Sequence, residues 1–201
     1  LDHWFAADVQ QALSELTAAL SARPGSALND ALSVALSAII VRVSRQDSDT
    51  RYAAVENNVT YDDVYRLFHA AVGQLATAVD DAERPTAAVI HKNILETTAD
   101  DVGTTVDLVI TSPPYPNAYE YWLYHKYRMY WLGMDPIHVR KHEIGARPHY
   151  FRKKPATAAD FERQMKSVFE LLDSIVVPGG HVCFQVGDSK IHGTIVDNAA
   201  L

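Results

Sequence analysis

The sequence predicts an α/β fold with a mostly parallel sheet, preceded by a helical region. Three observations predict it. Apolar residues recur at helical spacing over residues 3 to about 80. From residue 86 onward, short continuous apolar runs alternate with helix-period segments, the pattern of strands buried on both faces. A Pro178-Gly-Gly180 turn joins the last helical stretch to the last apolar run. The expected division is a helical region over 1–84 and an α/β region over 85–201.

The helical region contains three stripes. Val9, Leu13, Leu16 and Leu20 form the first, which stops at Pro24-Gly25. Leu28, Leu32, Leu36 and Ile39 form the second, running to Val43. Thr60-Tyr-Asp-Asp63 places a capping residue three positions before an acid, ahead of the stripe Val64, Phe68, Val72, Leu75 and Val79. These stripes read as core. Between the second and third helices, Ser44 to Tyr52 is polar, mixed in charge and without period. This stretch is either a capped loop or a cleft lip on which Arg45 and Arg51 face a ligand.

In the α/β region, Thr86–His91 and Val106–Thr111 read as strands, and Ala118 to about Leu132 as a long helix. Tyr119, Trp122 and Tyr130 on that helix face either a pocket or the core. Thr157-Ala-Ala-Asp160 opens a further helix, with Phe161, Met165, Val168, Leu172 and Ile175 on one side. His181–Val186 is the last strand, which buries Cys183.

Composition excludes several classes. The chain has 201 residues, 48% of them hydrophobic, enough for a sizeable core. No apolar run approaches the ~18 residues of a membrane span, so no membrane partner is expected and a cytoplasmic location is the default. One cysteine allows neither an internal disulfide nor a thiolate metal cluster, and the nine histidines read as lacking H-x-x-x-H or H-x-x-E-H spacing, so no metal is expected. Net charge is −7, yet six basic residues, Arg140, Lys141, Arg147, Arg152, Lys153 and Lys154, face one acid, Glu143, between Ile137 and Lys154. A basic stretch on an acidic body suits an edge that contacts phosphates.

The sharpest local signal is Thr111-Ser-Pro-Pro-Tyr115, directly after the strand Val106–Ile110. Two adjacent prolines fix φ and donate no hydrogen bonds, so the chain leaves the strand in a rigid extended turn. Such a turn can aim carbonyls and one small hydroxyl at a planar amine. Six of the ten tyrosines lie between Tyr115 and Tyr130. Then follow Arg140-Lys-His-Glu-Ile-Gly-Ala-Arg147 and Val177-Pro-Gly-Gly-His-Val-Cys-Phe-Gln-Val-Gly-Asp-Ser189.

These blocks, in this order over a little more than half the chain, resemble the S-adenosylmethionine-dependent DNA amino-methyltransferases. The resemblance implies a partial Rossmann-like methyltransferase domain over 85–201. It implies methyl transfer to the exocyclic amine of a DNA base flipped out of the duplex. Ser112 and the Pro113 carbonyl would accept the amine hydrogens, Pro114 would rigidify the turn, and Tyr115 would stack on the base. Serine at the first motif position leans toward cytosine N4 over adenine N6. Thr111, Asn93 and Asp188 fall at positions that adjoin the cofactor in the family. Asn93 stands where an acid is usual and reads equally as a satisfied loop amide; Asp188 either lines the cleft or caps a following helix. Tyr119 and the six basic residues would face DNA, and a restriction-modification or defence-system protein would be the partner.

The family's Gly-rich cofactor loop has no counterpart, because none of the nine glycines forms G-x-G. The chain is therefore expected to be an internal piece that binds S-adenosylmethionine poorly and turns over nothing alone. Two rivals remain: an RNA or protein amide methyltransferase, and a non-catalytic nucleic-acid-binding or interaction module with a relic site.

Overall fold

The protein is described by a computed structural model covering residues 1–22, 24–81, 86–116, 120–187, 189–191 and 194–197. It is a mixed α/β chain with a small parallel two-stranded sheet. Two compact units divide it, one of 1–85 with 122–139 and one of 86–121 with 140–201. The segment 122–139 thus belongs to the helical unit although the sequence pattern groups it with the α/β region.

The first unit is built on α1 (Ala7–Ser21), α2 (Ala27–Val43) and α3 (Tyr61–Asp81). Ser26 starts α2 by accepting a hydrogen bond from the Asn29 amide at 3.1 Å, and Thr60 with Asp63 forms the expected reciprocal cap on α3. The stripes meet in one core containing Val9, Leu13, Leu16, Leu36, Ile39 and Val64. Burying each such side chain is worth roughly 1.5–3 kcal/mol. Leu28 and Val79, at the ends of their stripes, are exposed instead.

The polar stretch after α2 is not an irregular loop. It forms a hairpin of β1 (Gln46–Ser48) and β2 (Arg51–Ala54). Arg51 pairs with Asp47 at 3.7 Å, and Arg45 donates to the Asp2 and His3 carbonyls, so both arginines have local structural partners.

The expected long helix from Ala118 is two short ones, α5 (Tyr121–Tyr124) and α6 (Lys126–Trp131). Their rings go mainly inward. Tyr127 and Trp131 join the helical core, each edge-on to Phe5, and Trp122 is buried, while Tyr130 is half exposed. Tyr127 also hydrogen-bonds Tyr52 through their hydroxyls at 2.9 Å. Packing of large aromatic area explains why this segment folds with the helices.

In the second unit a 3-10 turn at Ile94–Glu96 and α4 (Ala99–Val102) precede β3 (Val106–Thr111). Beyond α7 (Pro136–His142), a second 3-10 turn spans Arg147–Tyr150. Next come α8 (Ala158–Ile175), β4 (Val176–Phe184), β5 (Ser189–Ile191) and β6 (Thr194–Val196). Thr157 and Asp160 form the expected capping box on α8. The helix buries Phe161 and Met165 against Ile144, and Leu171 is buried more fully than the expected Leu172.

β3 and β4 are parallel, pairing Leu108 with His181 and Thr111 with Phe184. Pro178-Gly-Gly180 does not precede the strand but bulges out within it, opposite Asp107. Gly180 is required there, since a Cβ would stand 2.7 Å from Val176 Cγ1 and 3.0 Å from the Asp107 carbonyl oxygen.

Three expectations fail in this unit. Thr86–His91 makes no strand, and Val89 is 92% exposed. Leu108 and Ile110 are 51% and 76% exposed, so β3 is not covered on both faces. Cys183 is exposed rather than buried. The reason is common to all three: an apolar run is buried only when neighbouring strands and helices lie over it, and among the described residues β3 and β4 pair only with each other.

Candidate functional site around the Ser112 turn

β3 delivers Ser112 at the carboxyl end of a parallel pair, the end where α/β folds bind ligands. The ladder continues one residue past the strands, the Gln185 amide donating to the Thr111 carbonyl at 3.0 Å. Gln185 then grips the turn twice. Its main-chain carbonyl accepts from the Tyr115 hydroxyl at 2.9 Å, and its side-chain Oε1 accepts from Ser112 Oγ at 3.5 Å, a long and weak bond. Ser112 is exposed, while Pro113, Pro114 and Tyr115 are half-buried and Pro116 is fully buried.

The underside of the turn is a second segment, Glu143–Ala146. Gly145 has φ +73, and a Cβ there would lie 2.9 Å from the Tyr115 carbonyl oxygen and 3.3 Å from the Pro116 Cα. Only glycine permits that approach. Glu143 accepts from the Tyr121 amide at 2.8 Å, and Ile144 and Ala146 are buried. The turn is thus fixed from the β4 side by Gln185 and from below by Gly145. Gln185 and Gly145 were not among the expected site residues. The one available signal was that both lie in blocks ordered after the motif; nothing in a single sequence says that they touch it.

The remaining expected residues divide. Asn93 is a capping amide, its Oδ1 accepting from the Leu95 amide at 3.1 Å and its carbonyl accepting from Thr97 Oγ1 at 2.9 Å. That geometry favours the loop-amide reading over an adenine contact. The Thr111 carbonyl serves the β ladder. Asp188 and Tyr119 lie outside the described residues, and the residues after Asp188 form a β5–β6 hairpin rather than a helix to cap. Asn93 is committed to its own turn and none of the nine glycines forms G-x-G, so neither supplies the S-adenosylmethionine contacts that the resemblance implies.

The basic residues lie on one continuous stretch. Arg140 and Lys141 lie in the last turn of α7, and the Arg140 carbonyl meets His149 Nε2 at 2.8 Å. Arg147 opens the second 3-10 turn with its guanidinium 5.6 Å above the Phe151 ring. Arg152 donates to the Lys154 carbonyl at 2.9 Å. Lys141, Arg147, Arg152, Lys153 and Lys154 are exposed and, among the described residues, form no ion pair. Tyr150 anchors the stretch: burial, and then the nearby Asp160 carboxylate, push its phenol up to about 12, so it stays neutral.

One histidine pair, His138 and His142 on α7, does have the four-residue spacing that can present two imidazoles together. Among the described residues no group of three or more His, Cys, Asp or Glu side chains gathers to hold a metal. Among those residues, too, no helix is long and apolar enough to cross a membrane.

No protein-family model matches the chain, and neither does any curated protein or solved structure.

Proposed function

We propose that this chain is the base-holding, DNA-facing part of an amino-methyltransferase acting on DNA, with cytosine N4 favoured over adenine N6. The observation that carries the reading is the Ser112-Pro-Pro-Tyr115 turn at the carboxyl end of β3, braced by Gln185 and Gly145. An exocyclic amine is a poor nucleophile because its lone pair is delocalised into the ring. Acceptors that hold its hydrogens localise that pair and stabilise the positive charge that develops on nitrogen. Ser112 Oγ and the Pro113 carbonyl are the acceptors, and bracing holds them in place before the base arrives. The exposed Leu108 and Ile110 support a Rossmann-like sheet that continues beyond β3 and β4. The methyl donor implied by the resemblance, S-adenosylmethionine, would be held by residues other than Asn93.

A second reading is favoured by Asn93 and the missing G-x-G: a nucleic-acid-binding or subunit-interaction module without catalysis. One experiment separates them. Labelled S-adenosylmethionine is incubated with DNA, tRNA and protein acceptors, using this chain and the longest natural polypeptide that carries it. Label on cytosine N4 of DNA, from the longer polypeptide alone, is the expected result. Label on tRNA or protein changes the substrate, and no label anywhere removes the enzyme reading.

A further inference from the structure

Gln185 meets the turn with its side chain as well as its backbone. Its amide donates to the Thr111 carbonyl at 3.0 Å and its carbonyl accepts from the Tyr115 hydroxyl at 2.9 Å, so its main chain is held on both sides of the Cα. The side chain starts from that fixed point and turns toward the motif, where Ser112 Oγ donates to Oε1 at 3.5 Å. A carboxamide carries one acceptor end and one donor end on the same carbon. With Oε1 toward the hydroxyl, Nε2 is the end left over, and among the described residues it has no hydrogen-bond partner. Both residues are exposed, so this donor and the Ser112 oxygen stand side by side at the carboxyl end of the β3–β4 pair.

The two groups offer an acceptor next to a donor. Ser112 gives its own proton to Oε1, which leaves its lone pairs to accept, while Nε2 donates. The complementary edge on a base is an amine next to a bare ring nitrogen, as in N4 and N3 of cytosine or N6 and N1 of adenine. Thymine and guanine present the reverse there, a carbonyl next to a ring N–H. We propose that Gln185 is a base-reading residue, its Nε2 donating to the ring nitrogen beside the amine that Ser112 holds. A keto base would set its N–H against the Nε2 donor and leave both unpaired, which is how a polar site rejects a near-isostere. Contacts of this kind are often long before a substrate arrives and close in the complex, as the 3.5 Å separation allows. The ring nitrogen is not the reacting atom, so the contact serves affinity and choice of base rather than rate. The inference rests on the reading of the chain as base-holding and adds to it the residue that tells amino bases from keto bases.

The test is fluorescence anisotropy of this chain with labelled duplexes that differ in one unpaired residue. That residue is cytosine, thymine, or 3-deazacytosine, in which a C–H replaces the ring nitrogen and the amine stays. Wild type should bind the cytosine duplex about fivefold more tightly than the 3-deazacytosine duplex, the scale of one neutral hydrogen bond. Thymine should bind no better than 3-deazacytosine. Gln185→Met keeps the length, removes the donor and should bind cytosine and 3-deazacytosine equally. Gln185→Glu places an acceptor against the ring nitrogen and should reverse the preference. Both variants keep the main-chain bonds to Thr111 and Tyr115, and a role confined to bracing the turn would weaken all three duplexes together without changing their ratio. Matching circular dichroism melts show that the variants fold. Equal wild-type affinities for cytosine and 3-deazacytosine, an unchanged preference in Gln185→Met, or absence of DNA binding would overturn the inference. Methyl transfer by the longest natural polypeptide that carries this chain, with equal KM on cytosine and 3-deazacytosine, removes the ring-nitrogen contact and leaves the function. A Gln185-dependent preference without methyl transfer does the reverse.

Discussion

Gly145 lies against the backbone of Tyr115, so close that a single added methyl group would stand 2.9 Å from the Tyr115 carbonyl oxygen. The two residues are far apart in sequence, and their contact is what gives the proline turn a floor.

Gly145→Ala therefore meets two penalties, the close approach and a φ of +73 that alanine rarely adopts. We expect a loss of about 1–3 kcal/mol in urea unfolding. A variant as stable as wild type would show that the segment moves away freely and does not brace the turn.

Tyr115 is tied to Gln185 by its hydroxyl, donating to the main-chain carbonyl at 2.9 Å. Tyr115→Phe keeps the ring and removes that tie, so native-state amide exchange should speed up in the turn and at the end of β4. The expected stability change is about 0.5–1.5 kcal/mol. Unchanged exchange at Gln185 would mean that the hydroxyl does not hold the two segments together.

Ser112→Ala tests the proposed chemistry. Methyl transfer by the polypeptide that carries it should fall by roughly 10²–10³-fold, the scale of one lost charge-stabilising partner. Wild-type rate in this variant would assign the amine acceptor elsewhere.

His125 offers a pH test of the helical unit. Burial, and then the neighbouring Arg128 charge, lower its pKa below the ordinary histidine value. Arg128 also lies 3.0 Å from its Nδ1, a bond that the neutral ring accepts and a proton on Nδ1 would break. The unfolded chain therefore binds a proton more readily than the folded one, and stability falls as pH drops below about 6.5. His125→Gln should lessen the fall in melting temperature between neutral and mildly acidic buffer. An identical fall in wild type and variant would exclude His125 as a contributor.

Tyr52 and Tyr127 join the hairpin to α6 through their hydroxyls. A double-mutant cycle with phenylalanine at each position should give a coupling of about 0.5–1.5 kcal/mol. Burial, followed by the Tyr52 bond, raises the Tyr127 phenol, so that hydroxyl stays neutral at all ordinary pH. No measurable coupling would leave ring packing alone holding that contact.

Local signals served the helices well. The caps at Thr60 and Thr157 and the stripes through Leu13, Leu36, Val64 and Phe161 each lie within a few positions in sequence, where capping pairs and periodicity report them directly. The strands fared less well. Val106–Thr111 is a strand and Thr86–His91 is not, although both runs are apolar, because a strand exists only where another chain segment completes its hydrogen bonds. The rings after the turn follow the same rule: Trp122 and Tyr130 could each face a pocket or the core by sequence, and in the structure Trp122 is buried while Tyr130 is half exposed.

The sequence by itself determined the Ser-Pro-Pro-Tyr turn, the helical stripes with their caps and the basic stretch from Arg140 to Lys154, since each depends on residues within a few positions of one another. Only the tertiary structure decided that Gln185 and Gly145 brace the turn, that Asn93 caps its own loop, and that Phe151 stays outside while Tyr150 goes in. Those outcomes depend on which distant backbone or side chain arrives at each position, and contacts across such separations leave no local pattern to read.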